Sequence, residues 1–162
     1  MLAAFLPLYR TRLVWRSDAL VLLVGIAIGL LWIAFGFRDD SSASALNTAL
    51  ASFPVGIWTC WVLARLIGTI ALVPVAEELF FRGYLLDRFS QKGGVIRVVG
   101  FLLSTGLFAV MHERWALAGC AGAAYGLLSF RSHRVTDAIV AHSSSNAVIG
   151  FYAAATGQWS LI

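Results

Sequence analysis

Residues 19–37 run without a single charge. At 1.5 Å per residue these nineteen residues make about 28 Å of helix, enough to cross a hydrocarbon core of about 30 Å. Lipid offers no water to the main chain, so a run of this kind closes its own hydrogen bonds as a helix. Five more apolar runs follow, at residues 53–73, 74–89, 95–111, 115–130 and 135–156. Arg65 interrupts the first of them. The polar stretches 38–44, 90–94, 112–114 and 131–134 read as loops. Pro74 is expected to separate two helices, because the residue before a proline is pushed out of helical geometry while proline suits a first helical turn. Residues 1–9 are apolar but too short to span, and Arg10, Arg12 and Arg16 follow them. A cleavable signal peptide fits residues 19–37 poorly, since the run is long and lacks a small-x-small site before Arg38.

The whole chain agrees with this reading. Sixty per cent of its 162 residues are hydrophobic and 12% are charged, far from a soluble average near one quarter charged. The expected fold is all-α: a polytopic transmembrane helical bundle of about six membrane helices. Residues 1–52 read as an N-terminal segment with the first of them, and residues 53–162 as the core. Small residues at four-residue spacing, Gly25 with Gly29 and Ala118 with Gly122 and Gly126, suit close helix packing. Cys60 and Cys120 lie in apolar runs with no CxxC spacing and are expected to be buried thiols. The net charge of +4 is scattered through short loops rather than gathered in a basic stripe, which argues against a nucleic-acid partner. If all six helices cross, Arg10, Arg12, Arg16 and Arg114 gather on one side. Arg38, Arg88, Lys92, Arg97, Arg131 and Arg134 then gather on the other. Four against six sets no orientation under the positive-inside rule.

Ionisable groups inside such segments are costly and are functional candidates by default. Glu78 and Arg82 stand at i and i+4, so carboxylate and guanidinium share a helix face, while Glu77 points about 100° away. One acid can then be a counter-ion while the other faces a cavity. A helix-start acid cluster with a surface ion pair is the plainer alternative. Phe108 and His112 are one turn apart, although a histidine ending an apolar helix is also a common interfacial residue. His142 and Asn146 repeat the i, i+4 spacing and aim two side chains at one point; hydrogen bonds between helices would use them equally well. Glu77 begins one expected helix and His112 ends the next, so an up-down connection brings them to one membrane side.

In order and type, Glu77-Glu78 with Arg82, Phe108 with His112, and His142 with Asn146 resemble the EExxxR, FxxxH and HxxxN patterns of the CPBP family of intramembrane proteases, which includes the type II CAAX prenyl proteases. The resemblance covers about residues 53–162. Residues 73–84 and the ending Thr156-Gly157-Gln158-Trp159-Ser160-Leu161 look like the protease domain associated with exosortase E and bacterial protein sorting. The resemblance implies an intramembrane endopeptidase of a bacterial inner membrane, acting on a membrane-anchored protein or peptide. Glu77 and His112 would hold and deprotonate a water, His142 and Asn146 would form an oxyanion hole, and Glu78 with Arg82 would brace the site. A partnership with exosortase or other sorting machinery is the associated expectation.

Two rivals are a small proton-coupled transporter, relaying through Glu77, His112 and His142, and a catalytically silent scaffold. Discontinuous helices and inverted repeats would favour the transporter, and the sequence has no evident repeat. Zinc is a further alternative, since Glu77, His112 and His142 form a two-histidine, one-glutamate set. No HExxH accompanies it, and the Asn146 partner of His142 suits an oxyanion donor better than a ligand. Metal-free general-base chemistry is therefore preferred.

Overall fold

A computed structural model describes residues 13–15, 18–36 and 40–162. The expected short apolar stretch 1–9 lies outside them. The described residues form six α-helices and no strand: α1 (Ala19–Phe35), α2 (Asp40–Ala51), α3 (Val55–Ser90), α4 (Gly94–Val110), α5 (Trp115–Ser132) and α6 (Val135–Thr156). A 3-10 turn, Trp159–Leu161, follows α6. The all-α bundle is as the sequence indicates.

Two boundaries differ. The separate helices expected at 53–73 and 74–89 are one helix, α3, of 36 residues. Pro74 does not end it, because the segment Gly68–Leu72 widens into a π-helix directly before the proline. Val73 keeps helical dihedrals of −64° and −52°, and its N–H bonds to Gly68 O, five residues back. Widening of this kind is how a continuous helix accommodates a proline in an apolar setting. The second difference is α2, which lies partly in the expected loop 38–44. Its 12 residues are held from outside: Asn47 donates to Gly157 O at 3.0 Å and accepts from Trp159 Nε1 at 3.1 Å. Gly157 adopts φ +73°, the left-handed turn that closes α6 beside Asn47.

Among the described residues, α3 is the one helix long and apolar enough by composition to cross a membrane; α1 and α4 are apolar and 17 residues each. The core is Val21, Phe81, Phe108, Ala118, Ala121, Tyr125, Leu128, Ala138 and Ala141. Large apolar side chains such as Leu23, Val95, Leu102 and Phe151 point outward. The same outward faces carry Cys60 and Cys120, which are exposed rather than buried. An apolar run in a chain of this class has a side that no other helix covers, so apolarity around a cysteine does not place it inside.

Small residues set the packing. A Cβ at Gly25 would overlap Ala141 O, and one at Gly29 would sit 2.8 Å from Ser145 O, so α1 lies in backbone contact with α6. A Cβ at Gly126 would stand 2.8 Å from the Phe101 ring, so this side chain of α4 packs directly on the α5 backbone. The GxxxG read from the sequence and the 118/122/126 face are thus both interfaces.

Candidate active site

The second half of α3 carries the acids into the bundle. Glu78 and Arg82 are fully buried and paired, with Arg82 Nη1 donating to Glu78 Oε1 at 3.2 Å and Nε 3.2 Å from Oε2. Burying both ions is costly unless their remaining groups find partners. Arg82 Nη2 donates to Gly122 O at 2.7 Å, and its guanidinium lies 4.6 Å from the centre of the Phe108 ring. Gly122 permits this: a Cβ there would stand 3.1 Å from Arg82 Nη2 and 2.9 Å from Phe108 Cδ1.

Glu78 Oε1 also accepts from His142 Nδ1 at 2.9 Å. A carboxylate only accepts, so this contact puts the ring proton on Nδ1 and turns Nε2 towards Glu77, whose Oε2 is 4.0 Å away. The His142 ring is held flat against Tyr125, with centroids 4.8 Å apart and planes at 17°, and edge-on to Phe108 at 5.6 Å. Tyr125 OH and Ser145 Oγ share a 2.5 Å hydrogen bond, and Ser145 Oγ bonds to His142 O at 2.8 Å. Glu78, Tyr125 and Phe108 therefore fix one imidazole.

A cavity of about 440 Å³ opens beside this cluster, lined by Glu77, His112, Tyr125, His142, Ser145 and Asn146 among others. Glu77 faces it, while Glu78 and Arg82 do not line it. Glu77 Oε2 is buried and, among the described residues, has no hydrogen-bond partner. His112 comes from the turn after α4. Its Nδ1 donates to Phe108 O at 2.7 Å, its ring lies 4.6 Å from Phe108, and Trp32 of α1 meets it edge-on at 6.4 Å. With Nδ1–H on a carbonyl, the neutral ring of His112 has its lone pair on Nε2.

Asn146 is turned to the main chain of α3. Its Nδ2 donates to Thr69 O at 2.9 Å. Thr69 lies in the π segment, where the donor five residues ahead is Pro74, which has no N–H. Asn146 thus supplies a hydrogen bond that the helix lacks.

All six residues singled out in the sequence gather here: Glu77, His112, His142 and Asn146 line the cavity, and Glu78 and Arg82 sit behind it. The sequence reading missed Tyr125, Ser145 and Thr69. A phenol inside the small-residue run of α5 was the available signal for Tyr125, because a buried Tyr hydroxyl needs a partner. Nothing in sequence marks Thr69, whose contribution is its carbonyl. Arg114 borders the cavity too, donating to Ser160 O at 3.0 Å; burial draws its pKa below the ordinary value, and Glu113 opposes that. Among the described residues, no group of three or more His, Cys, Asp or Glu is arranged to hold a metal ion.

A family model described as Rce1-like, type II CAAX prenyl endopeptidase, matches residues 59–148, more than half of the chain. The match takes in all six site residues but not α1. No curated protein and no solved structure matches.

Proposed function

This chain belongs to the Rce1-like type II CAAX prenyl endopeptidase family, and from that premise we propose that it hydrolyses a peptide bond in a membrane-associated protein, with Glu77 and His112 activating the attacking water. One observation carries the reading. Glu77 Oε2 is a buried carboxylate oxygen to which no described residue donates a hydrogen bond, it faces a cavity of about 440 Å³, and His112 lines the same cavity with its Nδ1 held on Phe108 O. A base of this kind takes a proton from water as the oxygen attacks a carbonyl carbon. The carbonyl oxygen then becomes an oxyanion and needs donors.

His142 and Asn146 are the donors in this proposal. Asn146 has a second amide N–H besides the one on Thr69 O. His142 donates from Nε2 only as a doubly protonated ring, because Nδ1–H is spent on Glu78. That contact also favours a second reading, in which neutral His142 keeps its Nε2 lone pair and shares the water with Glu77. Glu78 and Arg82 act through His142 and are positioning residues in either case.

The chemistry needs no metal in this proposal. The substrate is a membrane-anchored protein or peptide, the setting a bacterial inner membrane, and the likeness of residues 73–84 and 156–161 to exosortase-associated proteases makes sorting machinery the partner class. The deciding experiment offers membrane-anchored candidate substrates to the purified protein. Cleavage by the wild type and none by Glu77→Gln supports the reading; equal cleavage by both ends it.

A further inference from the structure

Joining residues 55–90 into one helix changes which ends of the bundle share a membrane face. An unbroken α3 enters on one face and leaves on the other. α2 does not cross: twelve residues rise about 18 Å, short of a 30 Å core, and Asn47 is tied to Gly157 and Trp159 just past the end of α6. Five helices then cross, α1, α3, α4, α5 and α6. The contacts at each end agree. α1 and α6 run parallel, Gly25 against Ala141 and Gly29 against Ser145. At the end where both begin, Arg131 pairs with Asp18 at 3.2 Å and Thr136 Oγ1 donates to Val14 O at 2.7 Å. At the end where both finish, Trp32 Nε1 donates to Leu161 O at 3.3 Å and Arg114 to Ser160 O at 3.0 Å.

The cations divide sharply between these ends. Among the described residues, Arg88, Lys92, Arg97, Arg131 and Arg134 lie at the first end and Arg65 and Arg114 at the second. Arg82 is buried between them. Five against two is a clear bias where four against six was not, and short loops near helix ends are where the positive-inside rule applies.

The cavity belongs to the second end. Trp32, Arg65, Met111, Glu113 and Arg114 line it, and Met111 and Glu113 are exposed. The buried Glu78–Arg82 pair lies on the side towards the first end, one turn further along α3. We infer that the first end faces the cytoplasm and the catalytic cavity opens at the opposite, extracytoplasmic end, so that its substrates are the extracytoplasmic juxtamembrane stretches of exported or membrane-anchored proteins. The substrate clause rests on the protease reading; the orientation does not.

The test uses full-length protein in right-side-out membrane vesicles from bacterial cells. Cys60 and Cys120, both exposed, are replaced by alanine, and a single cysteine is placed as Glu113→Cys or Lys92→Cys. A membrane-impermeant maleimide should label Glu113→Cys in sealed vesicles and Lys92→Cys only after detergent is added. The reverse pattern, or labelling of both in sealed vesicles, overturns the inference. As a measurement free of cysteine changes, alkaline phosphatase joined after Ile162 should be active and green fluorescent protein at the same point dark; the opposite result again overturns it. Glu77-dependent cleavage is scored separately in the same vesicles. Its absence with the expected labelling removes the protease reading alone, and its presence with reversed labelling removes the orientation alone.

Discussion

Asn146 Nδ2 donates to the carbonyl oxygen of Thr69 at 2.9 Å, and Thr69 is the residue whose main-chain donor Pro74 fails to provide. A side chain of α6 is therefore part of the hydrogen-bond ladder of α3.

Asn146→Ala should cost about 1 kcal/mol of stability, the low end of the penalty for leaving a carbonyl unbonded, because this one is only half-buried. Pro74→Ala restores an N–H five residues ahead of Thr69, so adding it to Asn146→Ala should recover part of the loss. Thermal unfolding in detergent measures both. Strictly additive losses would show that the proline and the asparagine do not act on the same carbonyl.

Glu77→Gln nearly preserves shape while removing the base, so proteolysis should disappear with helicity and membrane insertion intact. Glu77→Asp withdraws the carboxylate by about 1.5 Å, and catalytic geometry tolerates little displacement of that size. Its kcat/KM on a cleaved substrate should drop about 100-fold or more. Circular dichroism on the same preparations separates lost chemistry from lost fold.

Arg82→Ala leaves Glu78 buried without its counter-ion, and breaking such a pair costs about 3–5 kcal/mol. Glu78→Gln with Arg82→Gln removes both charges and should be more stable than the sum of the single changes. Activity should stay low in the double variant, because a glutamine amide does not hold His142 Nδ1–H as the carboxylate does. A double-mutant cycle with no coupling would show that the two are not partners.

Protein purified without added metal and dialysed against a strong chelator should still cleave its substrate. Stoichiometric zinc in the active preparation, with activity lost on chelation and restored by zinc, would decide for a metalloprotease instead.

The parts of the site legible in the sequence were those expressed as side chains at i, i+4: Glu78 with Arg82 and His142 with Asn146 on one helix each, and Phe108 with His112 across the end of α4. Their faces follow from 3.6 residues per turn alone. What was not legible depends on pairs of helices or on the main chain. Tyr125 matters because α5 lays it on His142, and Thr69 because α3 exposes its carbonyl. The helix count came out through different pieces, since Pro74 is absorbed by the π segment and 40–51 folds against Asn47 partners more than 100 residues away. Local preference for breaking at proline was outweighed by the need to keep an apolar main chain bonded. The exposure of both cysteines was hidden for a related reason: lipid-facing and core-facing sides are equally apolar.

The π segment at Gly68–Leu72 also sets the rotational phase between the two parts of α3 that it joins. A π turn is a helix with one residue inserted, and each residue of a plain helix turns the chain by about 100°. Arg65 and Glu77 both line the cavity. In a plain helix their separation in the sequence would leave them about 120° apart, whereas a wide turn that absorbs one residue brings them to within about 20° of one face. Deleting one residue within Gly68–Leu72 would remove the wide turn and leave the two parts nearly in phase. Inserting one more residue there, without further widening, would turn Glu77 about 100° away from the face it shares with Arg65. The wide turn is thus a register adjustment that lets one helix present a basic and an acidic side chain to the same cavity.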